Sequence, residues 1–167
     1  MPEIIQVSVS RGGIPKRAVP DALITAHGIE GDSWAHPRIH GGPRQKILIL
    51  AAEVVDDLAV AGFPVFYGAL GENLTVRGTL PADWRAGQTW RAGDAILELT
   101  EVREPCATLD ACRHPDGRRI QTEIYDAAVR SGDPASPFWA KSGFYAAVRR
   151  PGRVSPGAPF ELLYHLA

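Results

Sequence analysis

Gln88-Thr89-Trp90-Arg91-Ala92-Gly93-Asp94-Ala95-Ile96-Leu97-Glu98-Leu99-Thr100-Glu101-Val102 reads as a β-hairpin. Its arms, Gln88–Arg91 and Ala95–Val102, flank Ala92-Gly93-Asp94, which carries the glycine a tight reversal favours. In the second arm Ile96, Leu97 and Leu99 are apolar, while Glu98 and Glu101 interleave with them. That pattern places one face of the arm on a core.

The same grammar continues on both sides of the hairpin. Ile4–Ser10 is a β-branched run closed by Arg11-Gly12-Gly13, and Ala22–Thr25 is a second short apolar piece. Lys46–Leu50 predicts a buried strand, and Asn73–Arg77, Phe144–Arg149 and Pro159–Leu166 predict three more. Two segments read as helices. Ala52–Ala61 sets Val54, Val55 and Leu58 on one face before Gly62, and Arg118–Arg130 has Ile120, Ile124, Ala127 and Ala128 as its inner stripe. The 17 glycines and 14 prolines cut the chain into short segments, which suits strands better than a helical bundle. The expectation is one domain, residues 1–167, mostly β with two or three helices, folded as a small barrel or a curled sheet.

Composition narrows the function classes. With 167 residues, 45% hydrophobic and 22% charged, the chain can bury a core without disulfides. A formal net charge of −1 lacks the basic footprint of a nucleic-acid binder. No apolar run approaches the roughly 20 residues that span a bilayer, and no leader pattern opens the chain. Two cysteines, Cys106 and Cys112, suit a reducing cytoplasm better than a secreted scaffold.

Several segments carry chemistry. Arg103-Glu104-Pro105-Cys106-Ala107-Thr108-Leu109 leaves a strand directly, and its proline suits the start of a turn or helix. A thiol there, beside an arginine, ionises more readily and serves as nucleophile or metal ligand; equally, a free cysteine can be a small core hydrophobe. Cys112 reads as incidental. His40-Gly41-Gly42-Pro43-Arg44-Gln45-Lys46 is a glycine turn in which Arg44 and Lys46 could meet a phosphate, or simply a connection. Asp32, His36 and His40 have metal-ligand spacing for a helix, but Pro37 and Gly41-Gly42 argue against one. Gly68-Ala69-Leu70-Gly71-Glu72-Asn73 precedes a strand, not a helix, so it fails as a dinucleotide fingerprint.

Taken in order, these segments resemble the MOSC family, named for the C-terminal domain of molybdenum cofactor sulfurase, and its small stand-alone bacterial branch in particular. The matching stretches are Gly28-Ile29-Glu30-Gly31-Asp32, His40 to Pro43, Gly71 to Leu74, Arg103 to Leu109, and a tail from Gly143-Phe144-Tyr145 to Pro159-Phe160-Glu161-Leu162. The resemblance implies a MOSC-type β-barrel, pyruvate kinase-like, closed or partly open. It implies Cys106 as the thiol ligand of molybdenum in a molybdopterin cofactor, with Asn73, Glu72, His40, Arg44, Lys46 and Arg103 around the cofactor. Related enzymes reduce N-hydroxylated compounds, which implies a small N-hydroxylated substrate, such as a base, and a separate electron-donor protein. A sulfur-carrier module using a Cys106 persulfide, and a non-catalytic pterin- or anion-binding module, stand as alternatives. The sulfurases' pyridoxal-phosphate domain has no counterpart here, so that cofactor is not expected. The chain departs from the branch at Arg44-Gln45, where an acid and then a base are usual, and Cys112 has no counterpart.

Overall fold

The computed structural model describes residues 1–33 and 42–164. The hairpin forms as read, as β7 (Thr89–Ala92) against β8 (Ala95–Val102), with Ala92 paired to Ala95 across the turn. Along β8, Ala95, Leu97 and Leu99 are buried while Ile96 and Glu98 are only partly so. Thr100 is also buried. It is the extra residue of a bulge, since Leu99 and Glu101 face the consecutive residues Ala146 and Tyr145 of β9 (Phe144–Arg150). A bulge re-aims the strand beyond it, and the redirected end leads into Cys106.

β5 (Ile47–Ala51) is buried at all five positions and lies between β9 and β6 (Leu74–Arg77). It runs parallel to β6, and α1 (Ala52–Val60) makes the crossover, burying Val54, Val55 and Leu58. A strand covered on both faces needs a continuous apolar run, and Ile47-Leu48-Ile49-Leu50-Ala51 supplies one.

Eight strands form one sheet in the order β11 (Phe160–Tyr164), β7, β8, β9, β5, β6, β1 (Glu3–Val9), β2 (Arg17–Val19). A three-stranded sheet joins β10 (Gly152–Val154), β3 (Ala22–Thr25) and β4 (Gly28–Ile29). Of the closed or partly open barrel that the sequence led us to expect, the closed form is corrected: the sheets do not close into a barrel and form a curled, open sheet. The outer edge of β1 is shared. β2 takes Val7–Val9, while the other half meets the approach to β11 through a Glu3–Pro159 bridge and backbone bonds from Ile4 N to Ala158 O and from Phe160 N to Pro2 O. Beyond Phe160, β11 pairs with β7 alone among the described residues.

The second helix is also corrected. Residues 118–130 do not form one helix but two single turns, α2 (Gln121–Ile124) and α3 (Ala127–Arg130). Tyr125 is extended between them, and Asp126 caps α3 by accepting from Val129 N at 2.9 Å. An Asx cap starts a new helix more readily than it sits inside one.

Candidate functional site around Cys106

Cys106 follows β8 by four residues and is exposed. It caps a 3-10 turn over Ala107–Cys112, so the helical segment begins after the cysteine and not at Pro105. Its Sγ–H donates to Thr108 Oγ1 at 3.2 Å, and Gln121 Nε2 donates to its carbonyl at 3.0 Å. The thiol opens on a cleft of about 740 Å³ that also takes in Lys16, Gln45, Leu48, Asn73 and Tyr145.

Asn73 sits where β6 begins. Its backbone N–H donates to Leu48 O at 2.8 Å, and its Oδ1 accepts from Leu48 N at 3.0 Å. Its Nδ2 donates to Asp32 Oδ2 at 2.9 Å and to Ser8 O at 3.3 Å. One amide thus extends the β5–β6 ladder, ties it to β1 and fixes Asp32. Asp32 in turn accepts from Ser10 N at 2.8 Å and from Lys16 Nζ at 2.6 Å. Both side chains of this ion pair are nearly excluded from solvent, Lys16 at 9% and Asp32 at 2% exposure. An ammonium has three donors, and Lys16 belongs to the cleft lining.

Arg103 is buried behind the thiol. Its Nε donates to Ser142 O at 2.9 Å and its Nη2 to Leu70 O at 2.6 Å, so it clasps two turns to the end of β8. Burial pulls its guanidinium below the usual value, and attraction to the ionised forms of Tyr145 and Glu72 opposes that pull. Glu72 is wholly buried behind the cleft and is not part of its lining. Its Oε1 accepts from Gly68 N at 2.6 Å and its Oε2 from Leu70 N at 3.2 Å, which shapes the Gly68–Glu72 turn. Gly68 has φ +99°, and a Cβ there would fall 2.3 Å from Lys16 O, so this glycine is what lets the Lys16 segment approach. Burial raises the Tyr145 hydroxyl and the Cys112 thiol. Cys112, buried with its Sγ near Ala69 O, is a core thiol.

The structure thus brings together Cys106, Asn73 and Arg103. Arg44 goes elsewhere: its Nη2 donates to Thr100 O at 3.2 Å and its own carbonyl accepts from Thr100 Oγ1, so the β8 bulge holds it. Lys46 enters β5 with its backbone N–H on Ala146 O. Its side chain, like that of Arg44, does not join the cleft lining. His36 and His40 lie outside the described residues. Among the described residues, no group of three His, Cys, Asp or Glu side chains is placed to hold a metal.

Sequence reading passed over Lys16, Gln45, Thr108 and Tyr145. Lys16 lies in a loop without a motif, and the scarcity of lysine (three in the chain) is its only cue. Tyr145 is marked by position alone, being the β9 residue opposite the bulge.

Residues 36–161 match the MOSC domain. The chain belongs to the MOSC domain family. It is 28% identical over 151 residues to Protein YiiM of Escherichia coli (strain K12), covering 86% of this chain and 59% of that protein. It is 29% identical over 153 residues to the uncharacterized protein YflK of Bacillus subtilis (strain 168), covering 90% and 63%. The chain therefore spans less than two thirds of the length of these relatives. The crystal structure of YiiM from Escherichia coli superposes with a TM-score of 0.69 at 25% identity, over all of this chain and 72% of that one. The MOSC match begins beyond β1–β4, yet Lys16 and Asp32 come from that leading segment. No helix among the described residues is long and apolar enough to cross a membrane.

Proposed function

We propose that this MOSC chain holds a molybdenum cofactor in the Cys106 cleft and reduces N-hydroxylated small molecules. The observation that carries this reading is an exposed thiol sharing one cleft with Lys16, whose buried side chain pairs with Asp32. The donor set fits such a cofactor. A thiolate is a soft ligand suited to a metal already bound by sulfur, and an ammonium lining the same cleft suits an anionic phosphate tail. Bound there, the cofactor supplies two-electron redox chemistry. The net reaction takes an N–OH group, two electrons and two protons to N–H and water, and a separate donor protein delivers the electrons.

The chain's own residues supply position. Cys106 is the metal ligand. Gln121 and the 3-10 turn fix its backbone, and Arg103 fixes the end of β8 that leads to it. Lys16 takes the phosphate-holding role that the sequence suggested for Arg44 and Lys46. Asn73 keeps Asp32, and through it Lys16, in register.

A second reading has an observation of its own. The Cys106 Sγ is exposed and engages only Thr108 among the described residues, so a sulfur-donating protein could reach it and load a persulfide.

The deciding experiment expresses wild type and Cys106→Ser with molybdate supplied and measures molybdenum by elemental analysis. Near-stoichiometric metal in wild type, falling at least tenfold in the variant, is the expected result. Well-folded wild type without molybdenum would sink the reductase reading. An added sulfur on the Cys106 peptide, seen by mass spectrometry after treatment with a cysteine desulfurase, would then establish the persulfide reading.

A further inference from the structure

A second cleft, with about 910 Å³ of open space, lies on the other side of the β8 end. Its walls are aromatic: Trp139, Tyr125 and Phe144 line it, over a floor that includes Val102 and Val129. Its rim is cationic. Arg85 stands over the Trp139 ring at 5.7 Å and Arg130 over the Tyr125 ring at 5.8 Å. From the geometry we infer that this cleft binds a planar aromatic anion, such as an aryl carboxylate, with its ring among the three aromatic side chains and its charge on the two guanidinium groups. This inference does not depend on what Cys106 holds.

Three features support it. First, the walls are fixed before any ligand arrives. Trp139 Nε1 donates to Trp84 O at 2.8 Å, and Arg85 Nη1 donates to the same carbonyl at 2.8 Å and to Ala82 O at 2.6 Å. Asp126 caps α3 and accepts from Ser136 Oγ at 3.1 Å, and Ser136 accepts from Phe138 N at 3.1 Å, so the loop carrying Trp139 is tied down. A preorganised wall spares a ligand the entropy of ordering it.

Second, the charge balance favours an anion. Arg85 has no carboxylate within ion-pair distance among the described residues. The acid in the lining, Glu101, already accepts from Gln45 Nε2 at 2.8 Å, outside this cleft's lining. Arg130 pairs with Glu104 at 3.2 Å, but both side chains are more than 60% exposed, and water screens such a pair. Arg130 can leave it for a ligand anion.

Third, guanidinium groups already placed against aromatic faces suit an aromatic acid. Arginine stacks on rings and also forks onto a carboxylate.

The test uses 2-naphthoate, with 2-naphthylmethanol as its uncharged counterpart, followed by amide and indole N–H shifts in nuclear magnetic resonance titrations. The expected result is saturable shifts at Tyr125, Arg130 and the Trp139 indole N–H, with the acid binding at least fivefold more tightly than the alcohol. Arg130→Gln, on an exposed side chain, should weaken the acid about fivefold and leave the alcohol unchanged. Equal binding of acid and alcohol would overturn the inference. So would shifts centred on residues 103–109, or no saturable shift up to 10 mM ligand.

Discussion

At the scale of single residues, burial decides what a charge pair is worth. Lys16–Asp32 and Arg153–Asp21 are both direct ion pairs, at 2.6 and 3.2 Å. The first is almost sealed from water, whereas the second is more than half exposed on both sides. Removing one partner of a sealed pair strands a charge in a poor solvent, at a cost of about 3–5 kcal/mol. Exposed pairs are screened and contribute little. Lys16→Met, which keeps the side chain's length and loses its charge, should lower the free energy of urea unfolding by that amount at pH 7. Arg153→Met should leave the midpoint within error. The Lys16 variant should also lose cofactor occupancy out of proportion to its stability, because the same residue lines the cleft. If both variants unfold alike, the Lys16–Asp32 pair is not the buried anchor described here. Nothing in the sequence around Lys16 announced this role. The pairing spans 16 residues and is set by a turn whose partner, Gly68, is 52 positions further on.

At the scale of elements, the Gly68–Glu72 turn shows what a glycine-rich stretch before a strand does when it is not a dinucleotide fingerprint. The positive φ of Gly68 lets the Lys16 segment approach. Glu72 looks from sequence like a ligand-facing acid, yet it turns inward to accept the turn's own N–H groups. Burial pushes its carboxyl above the usual range, against the opposing pull of those backbone amides and of Arg103. A carboxyl with a raised value in the folded state holds its proton where the unfolded chain has lost it. Its contribution is therefore complete below the unfolded value of about 4.3 and is lost as pH climbs through the raised folded value. Urea midpoints of wild type should fall over that window, and Glu72→Gln, which cannot titrate, should show a shallower fall. Parallel pH profiles would mean that the carboxyl keeps an ordinary value inside the fold. The corrected second helix has a related cause. Half of its expected stripe holds: Ile120 and Ile124 are buried, but Ala127 is exposed, Ala128 is half-buried and Val129 is buried in their place, because Asp126 caps α3 and also holds Ser136. That long-range demand is invisible to a periodicity count.

At the scale of the whole molecule, short strands and their order of burial were readable from alternation and from one apolar run, but closure was not. Closure depends on how the two ends of the sheet share the edge of β1, and that edge belongs to residues more than 150 positions apart. Hydrogen exchange separates the two architectures. β5 is paired on both sides and buried throughout, so Ile47–Ala51 should exchange only through global unfolding. Among the described residues β2 pairs with β1 alone, so it should open locally, orders of magnitude faster. β11 should show a gradient along its own length. Phe160 N–H is held by Pro2 O at the seam, whereas the Leu162 N–H, which alternates to the same edge, meets no strand there among the described residues. In a closed barrel every second amide of β11 would gain a partner on that edge, and the strand would be as slow as β7 from end to end. A protected Phe160 beside a fast Leu162 is thus the signature of an open, curled sheet, and uniformly slow exchange along β11 would restore the closed one.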